Sequence, residues 1–507
     1  MKNVLEYLEA AAAVFPEKTG FTDPDRDAEF VQVMDRSRKA ASSMKDIPAN
    51  SPVAIVIDRS VRCIEAMFAA VYAGCFYTVI DVHSPVSRIS DIFSTLRPAA
   101  VMTDSSCLSL TGEVLEGCNM QDLPVIVYED AVSCPEDTEF ISSVRASMID
   151  TDPLYVLFTS GSSGKPKGTV VSHRSVISYT DWVSTEFGFD ETTVFGSQAP
   201  LYFSMSVTDL FSTIRCGCTY SIIPKKLFSF PVDLISYINE REVNTIYWVP
   251  SALAIAPNWD LFGYKKPEHL KKVLFAGEVM PVRNLNYWRT HLPDCLYANL
   301  FGPTETTDIC TFYKVDRDFR DDEALPIGRE CDNCDVFLLT EDGRLASKGE
   351  EGELIVRGSF LASGYYNEPE KTAAAFPQNP LNQCYPERVY RTGDLARMND
   401  RREYIYICRK DFQIKRMGFR IEPGEIETAA NAITGIKSSA VIYDDKSQRI
   451  LLIYEGTPKD TDAVRGLLSE KVPAYMRPDE VIRIRSMPYN ANGKTDRAKL
   501  RSLYAGN

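Results

Sequence analysis

Short apolar runs alternate with helical ones from Val53 to Phe275, and that alternation narrows the folds open to the chain. Val53–Ile57, Phe76–Ile80, Ala99–Thr103, Pro124–Tyr128 and Leu154–Phe158 read as strands, and Arg62–Tyr72 as a helix closed by Gly74. A second series follows Arg174. Met205–Ile214 and Asp233–Arg241 read as helices, and Thr219–Ile223, Thr245–Val249 and Lys272–Phe275 as strands, without a strict sequence repeat. Strand–helix–strand order with short apolar strands predicts parallel, doubly wound sheets. Beyond Thr311 the pattern changes. Val336–Leu339, Gly352–Val356 and Glu403–Cys408 suggest antiparallel strands joined by turns such as Asp342-Gly343. After Lys410 come a helix (Glu425–Ala432), two strands (Ser439–Tyr443, Ile450–Tyr454) and a helix (Thr461–Lys471). The opening Val4–Phe15 reads as an amphipathic surface helix. The expected fold class is α/β. A large N-terminal domain over 1–409 combines two doubly wound subdomains with a small β-rich one, and a small α+β domain covers 410–507.

Sheets of this kind bind ligands beyond the carboxyl ends of their strands. The run that follows Leu154–Phe158 is Thr159-Ser160-Gly161-Ser162-Ser163-Gly164-Lys165-Pro166-Lys167-Gly168. Its glycines allow close approach of backbone N–H groups, its hydroxyls add donors, and its lysines add charge, a set suited to a polyphosphate. It is not a Walker loop, because counting Gly161 as the first place the sixth is Pro166. A flexible Ser/Gly connection is the plainer reading of the run taken alone.

Composition removes several classes. At 507 residues with 44% apolar content the chain can bury a real core. A net charge of −14 argues against a nucleic-acid binder and against an anionic membrane surface. No apolar run approaches the ~20 residues of a membrane span. Thirteen cysteines without regular spacing, and without a secretory leader, read as reduced thiols of a cytoplasmic protein. The Cys331/Cys334 and Cys216/Cys218 pairs lack a clear second half-site for zinc, and no two of the four histidines stand at metal spacing.

The glycine-hydroxyl run resembles the phosphate loop of the adenylate-forming superfamily, which contains acyl-CoA synthetases, luciferases and the adenylation domains of nonribosomal peptide synthesis. The likeness recurs in the family's order at Phe275-Ala276-Gly277-Glu278, Phe301-Gly302-Pro303-Thr304-Glu305, Tyr390-Arg391-Thr392-Gly393-Asp394, Arg409 to Lys415, and Asn492-Gly493-Lys494-Thr495-Asp496-Arg497. It implies ATP as cosubstrate, with Thr159, Ser160, Gly161, Ser162, Ser163, Gly164 and Lys167 around the phosphates. Glu305 would hold Mg²⁺ through hard carboxylate oxygens, and Thr304 would touch the α-phosphate. Phe301 would stack on adenine, Gly277 and Glu278 would lie along its edge, and Asp394 and Arg409 would take the ribose hydroxyls. Lys494 matches the catalytic lysine and Asp411 the hinge. In the second half-reaction the family rotates its C-terminal module so that Lys415 and Gly418 face the active site and a pantetheine tunnel opens.

Within that family the wording is similar to the D-alanine–carrier-protein ligases, with two departures. Amino-acid-activating members carry Asp in a Phe-Asp-x-Ser-Val run, where it pairs with the substrate's α-ammonium. This chain has Phe203-Ser204-Met205-Ser206-Val207, and Ala276 where the D-alanine ligases have Cys. Asp308 falls at another pocket position that is usually apolar, and would hold an amine displaced along the substrate, on the β carbon or in the side chain. Trp248 would shorten the cavity, and Met205, Thr208, Leu274, Leu300 and Ile309 would line the rest. The resemblance implies a freestanding ligase that loads a small carboxylic acid, expected to be an amino acid, onto the phosphopantetheine thiol of a carrier protein. The alternatives are an acyl- or aryl-CoA ligase using free CoA, or a catalytically silent ATP-binding member. Arg483, Arg485, Arg497, Lys499 and Arg501 form either a docking patch for an acidic carrier or an ordinary charged surface.

Overall fold

The structure is a computed structural model that describes residues 1–160, 166–321, 323–410, 413–444, 446–458, 460–488 and 495–505. Its first sheet has seven strands. Phe76–Val79, Pro52–Val56, Ala100–Thr103 and Val125–Val127 run parallel, and Pro153–Thr159 joins beside Phe76–Val79 through Tyr77 and Tyr155. Lys167–Ser172 then returns antiparallel along Pro153–Thr159, with Thr159 opposite Lys167. A connection this short cannot make a parallel crossover, so the two strands flanking the phosphate-loop run pair antiparallel.

The second sheet has nine strands. Leu296–Phe301, Lys272–Phe275, Thr245–Trp248, Val194–Ser197, Thr219–Ile222 and Thr19–Thr22 lie parallel in that order, with antiparallel strands at both edges. Thr19–Thr22 is a strand that the sequence pattern does not announce, since a four-residue Thr-Gly-Phe-Thr segment lacks an apolar run. The opening helix Leu5–Val14 lies at the surface as an amphipathic helix. It buries Leu5, Tyr7, Leu8, Ala11 and Ala12 against the helices Phe30–Ser42 and Ser206–Cys216 and leaves Ala10, Ala13 and Val14 exposed, and what the sequence did not show is which helices it packs on. Its alanine face allows that close packing.

Cys334–Leu339, Glu351–Gly358, Tyr390–Met398 and Tyr404–Arg409 form a four-stranded antiparallel sheet. Beyond it a separate core assembles from residues such as Ile414, Ile421, Ile426, Ile450, Leu452, Val464 and Leu468. It is covered by the ribbon Ile414–Arg416/Phe419–Ile421, the helix Pro423–Asn431 and a three-stranded sheet. No helix among the described residues is long and apolar enough to cross a membrane.

Candidate active site

Three groups of side chains converge where the carboxyl ends of both parallel sheets meet the C-terminal module. The first surrounds Glu305. The Phe301-Gly302-Pro303 turn carries the chain from the strand Leu296–Phe301 into a short 3₁₀ turn, Thr304–Thr306. A Cβ on Gly302 would overlap the carbonyl oxygen of Asp308, so glycine is what lets the turn fold back on itself. Glu305, fully buried, accepts hydrogen bonds from Lys167 Nζ (3.0 Å) and Tyr365 OH (2.6 Å) on Oε1 and from Arg420 Nη1 (2.7 Å) on Oε2. Burial opposes its ionisation, but the Arg420 and Lys167 charges hold the carboxyl well below the usual carboxylate range. Lys167 Nζ also donates to Tyr365 OH at 3.0 Å. Ser160 Oγ donates to the carbonyl oxygen of Arg420, so the hairpin touches the C-terminal module directly.

The second group surrounds Asp394, on the strand Tyr390–Met398. Arg409 Nη1 donates to Asp394 Oδ2 at 3.1 Å, fixed by the register that pairs the two residues across the sheet. Lys415 Nζ lies 3.7 Å from Asp394 Oδ1, which accepts no hydrogen bond although it is buried. The same ammonium sits 4.5 Å above the Phe301 ring. Burial pushes the Lys415 amine down, and Asp394 opposes that shift.

The third group is apolar with a charged floor. Leu274, Ala276, Leu300 and Ile309 are buried at or just beyond the ends of neighbouring strands. Met205 and Thr208 face them from the start of the helix Ser206–Cys216. Thr304 Oγ1 lies 3.4 Å from Ser204 Oγ. Asp308 Oδ2 accepts from Thr208 Oγ1 (2.9 Å), Tyr179 OH (3.0 Å) and Tyr247 OH (3.2 Å). Burial pushes the Asp308 carboxyl up to about 7, and hydrogen bonds from Thr208, Tyr179, Tyr247 and Ser204 restrain the rise. Trp248 is fully buried beside this group. Its indole donates to Gly196 O at 2.7 Å and packs edge-on against Phe228, whereas its neighbour Tyr247 reaches Asp308.

The C-terminal module is docked onto this site. Gly418, at φ +78, packs beside Val249 and Phe203, and a Cβ on Gly277 would stand 3.5 Å from its Cα. Phe419 stacks on Tyr475 and meets Phe203 edge-on. Arg88, on the helix Val86–Leu96, forms a buried ion pair with Glu425. Glu278 is turned toward the Ser251 N–H, 2.9 Å away. Gly161 to Gly164, the hinge position Asp411 and Lys494 lie outside the described residues. Tyr365, Tyr179, Tyr247, Arg420 and the Arg88–Glu425 pair are absent from the sequence-derived site. Only Arg420 had a signal, its closeness to the Arg409–Lys415 run. Of the basic C-terminal residues, Arg497 is tied to Glu427 and Arg483 to the carbonyl oxygen of Gly456.

Comparison with known proteins decides the family. Residues 8–366 match the model of the AMP-binding enzymes. The chain belongs to the AMP-binding enzyme family. It is 30% identical to a D-alanine–D-alanyl carrier protein ligase of Lacticaseibacillus casei over 98% of both chains. It is equally 30% identical to an L-proline–[L-prolyl-carrier protein] ligase of Pseudomonas fluorescens over 99% of both. Among solved structures, an adenylation domain of Vibrio cholerae in complex with glycyl-adenosine-5′-phosphate superposes with a TM-score of 0.83 at 20% identity, covering 99% of this chain and 98% of that one. The family fold accounts for the α/β architecture, and family membership makes the protein an adenylate-forming ligase that uses ATP.

Proposed function

We propose that the protein activates a small amino acid with ATP to the acyl-adenylate, releasing pyrophosphate, and then passes the acyl group to the phosphopantetheine thiol of a carrier protein. One observation carries the reading. Two separately built lobes deliver Glu305, Asp394 and Phe301 from one side, and Arg420, Lys415 and Gly418 from the other, into a single cleft. Relatives at 30% identity over nearly their whole length are named as carrier-protein ligases.

In the first half-reaction a carboxylate oxygen of the acid bonds to the α-phosphorus and the bond to pyrophosphate breaks. Negative charge crowds the phosphates, so positioned cations and donors supply most of the help. Lys167, Thr159, Ser160 and Thr304 would supply that help, and Lys494 would bridge the two reacting anions. Asp394 and Arg409 orient the ribose, with the unsatisfied Oδ1 of Asp394 as an open acceptor. Glu305 suits Mg²⁺, being a buried carboxylate with hard oxygen donors, and the metal would add positive charge against the phosphate oxygens. In the pose observed Arg420 donates to Oε2, and Glu305 would hold the metal once that bond is released by movement of the C-terminal module. The pose itself suits the second half-reaction, in which the thiol attacks the acyl carbon and AMP leaves. The domain division near Lys410 is the pivot of that exchange.

The test is ATP–pyrophosphate exchange with a panel of acids, followed by loading of a holo-carrier against free CoA. Exchange that depends on Asp394, together with loading of the carrier in preference to CoA, supports the proposal. Turnover with CoA alone refutes the carrier half.

A further inference from the structure

Asp308 is a buried carboxylate, only 1% exposed, and no lysine or arginine pairs with it among the described residues. Three hydroxyls from three different elements all reach the same oxygen, Oδ2: Tyr179 from the helix His173–Glu186, Thr208 from Ser206–Cys216, and Tyr247 from Thr245–Trp248. A carboxylate oxygen offers two lone pairs, so these donors saturate Oδ2. None of them reaches Oδ1. The arrangement fixes the carboxylate's rotation and leaves Oδ1 free of these three donors, with the Ser204 hydroxyl the other protein group that acts on the carboxyl. A buried carboxylate with no cation is costly unless it is paired, and a cationic ligand is the pairing it lacks.

The position of that acceptor sets the substrate's length. Ser204 takes the place where amino-acid-activating relatives put the carboxylate for an α-ammonium. It stands 3.4 Å from Thr304, at the end of the site nearest the reacting phosphate, and its hydroxyl is among the groups that restrain the Asp308 carboxyl. Asp308 is therefore a carboxylate placed apart from the usual anchor position, which Ser204 fills. The rings of Tyr179 and Tyr247, both fully buried, close the space behind it. An anchor displaced from the α-ammonium position suits a nitrogen beyond the α carbon, and the two buried tyrosines bonded to that anchor limit a long side chain.

We propose that Asp308 binds the substrate's amine, and that the acid this enzyme activates is a β-amino acid, with Tyr179, Thr208 and Tyr247 as positioning residues for the carboxylate. The proposal rests on the adenylating reading above.

The experiment measures ATP–pyrophosphate exchange for three sets of acids: 3-aminobutanoate and 3-amino-3-phenylpropanoate, the corresponding α-amino acids, and the 3-hydroxy isosteres. Wild type, Asp308→Asn and Tyr247→Phe are compared, with thermal unfolding of each variant as the control for folding. Calorimetric binding of a non-hydrolysable β-aminoacyl sulfamoyl adenosine gives a readout independent of turnover. Wild type should favour β-amino over α-amino acids by about 100-fold in kcat/KM. Asp308→Asn should reduce the preference for the amine over its hydroxy isostere by a similar factor. Tyr247→Phe should reduce it roughly 3- to 10-fold, as the loss of one of three hydroxyl donors predicts. A preference for α-amino acids overturns the proposal, as does an Asp308→Asn variant that lowers amine and isostere equally, and the ligase reading survives both results. Exchange with no acid of any class would bring down the ligase reading itself.

Discussion

Removing the carboxylate of Glu425 should separate the two half-reactions. Glu425 and Arg88 are each 7% exposed and pair across the seam between the lobes. The ring of Tyr475 lies beside them, and its hydroxyl interacts with the Arg88 side chain. Taking one partner from a buried pair costs about 3–5 kcal/mol, because the other charge stays desolvated. Glu425 also stands in the first turn of the helix Pro423–Asn431, which accounts for roughly 0.3–1 kcal/mol that has nothing to do with docking. About 2–4 kcal/mol then acts on the docked pose, a shift of roughly 30- to 1000-fold against it. The assay pairs ATP–pyrophosphate exchange with single-turnover loading of a holo-carrier from preformed acyl-adenylate. Glu425→Ala should leave exchange within a few-fold and slow loading at least ~10-fold. Replacing both residues, as Arg88→Met with Glu425→Leu, should recover most of the loss, since an apolar pair avoids the stranded charge. If the single variant slows exchange and loading equally, or if loading is unaffected, the docked pose is not the transfer state.

Three further outcomes follow from the geometry. Gly418→Ala places a methyl group into Val249 Cγ1 at a backbone angle of φ +78, so loading should fall more than ~10-fold while exchange persists, measured by the same paired assay. The folded-state pKa of Asp308 is raised to about 7, so the stability this group contributes is full below its unfolded value near 4 and is lost as pH rises through about 7. Asp308→Asn should therefore raise the Tm of the ligand-free protein at pH 8 and change little at pH 4.5, read by scanning calorimetry. Trp248→Ala should destabilise the protein by about 3–5 kcal/mol, because its fully buried indole packs on Phe228 and bonds Gly196 O. A denaturant titration that shows a loss below ~1 kcal/mol would contradict the packing seen here.

The ordering of the site was legible where chemistry demands particular residues at fixed local spacing. Thr304-Glu305, Asp394, Arg409 and Lys415 do meet in one cleft, and the strands that carry them were visible as apolar runs. What the sequence concealed are partners far apart in the chain: Arg88 with Glu425, Lys167 and Tyr365 with Glu305, Ser160 with Arg420. Nothing local marks an arginine on an amphipathic helix as half of an ion pair more than three hundred residues away. The substrate end was obscured differently. A single step along Thr245–Trp248 exchanges the residue that reaches Asp308 for one that bonds Gly196 O, and no motif pins that register.

Tyrosine type does not settle such cases. A buried tyrosine hydroxyl finds a partner in any core, and Trp248 and Tyr247 are equally buried. Tyr179 and Tyr247 belong to the site because their shared partner is a carboxylate without a cation. They come from a helix and a strand of different sequence neighbourhoods and donate to the same oxygen, Oδ2. Two rings that served packing alone would have no reason to meet on one atom. Their convergence costs the fold an uncompensated buried charge, and a bound ammonium is the group that would offset it.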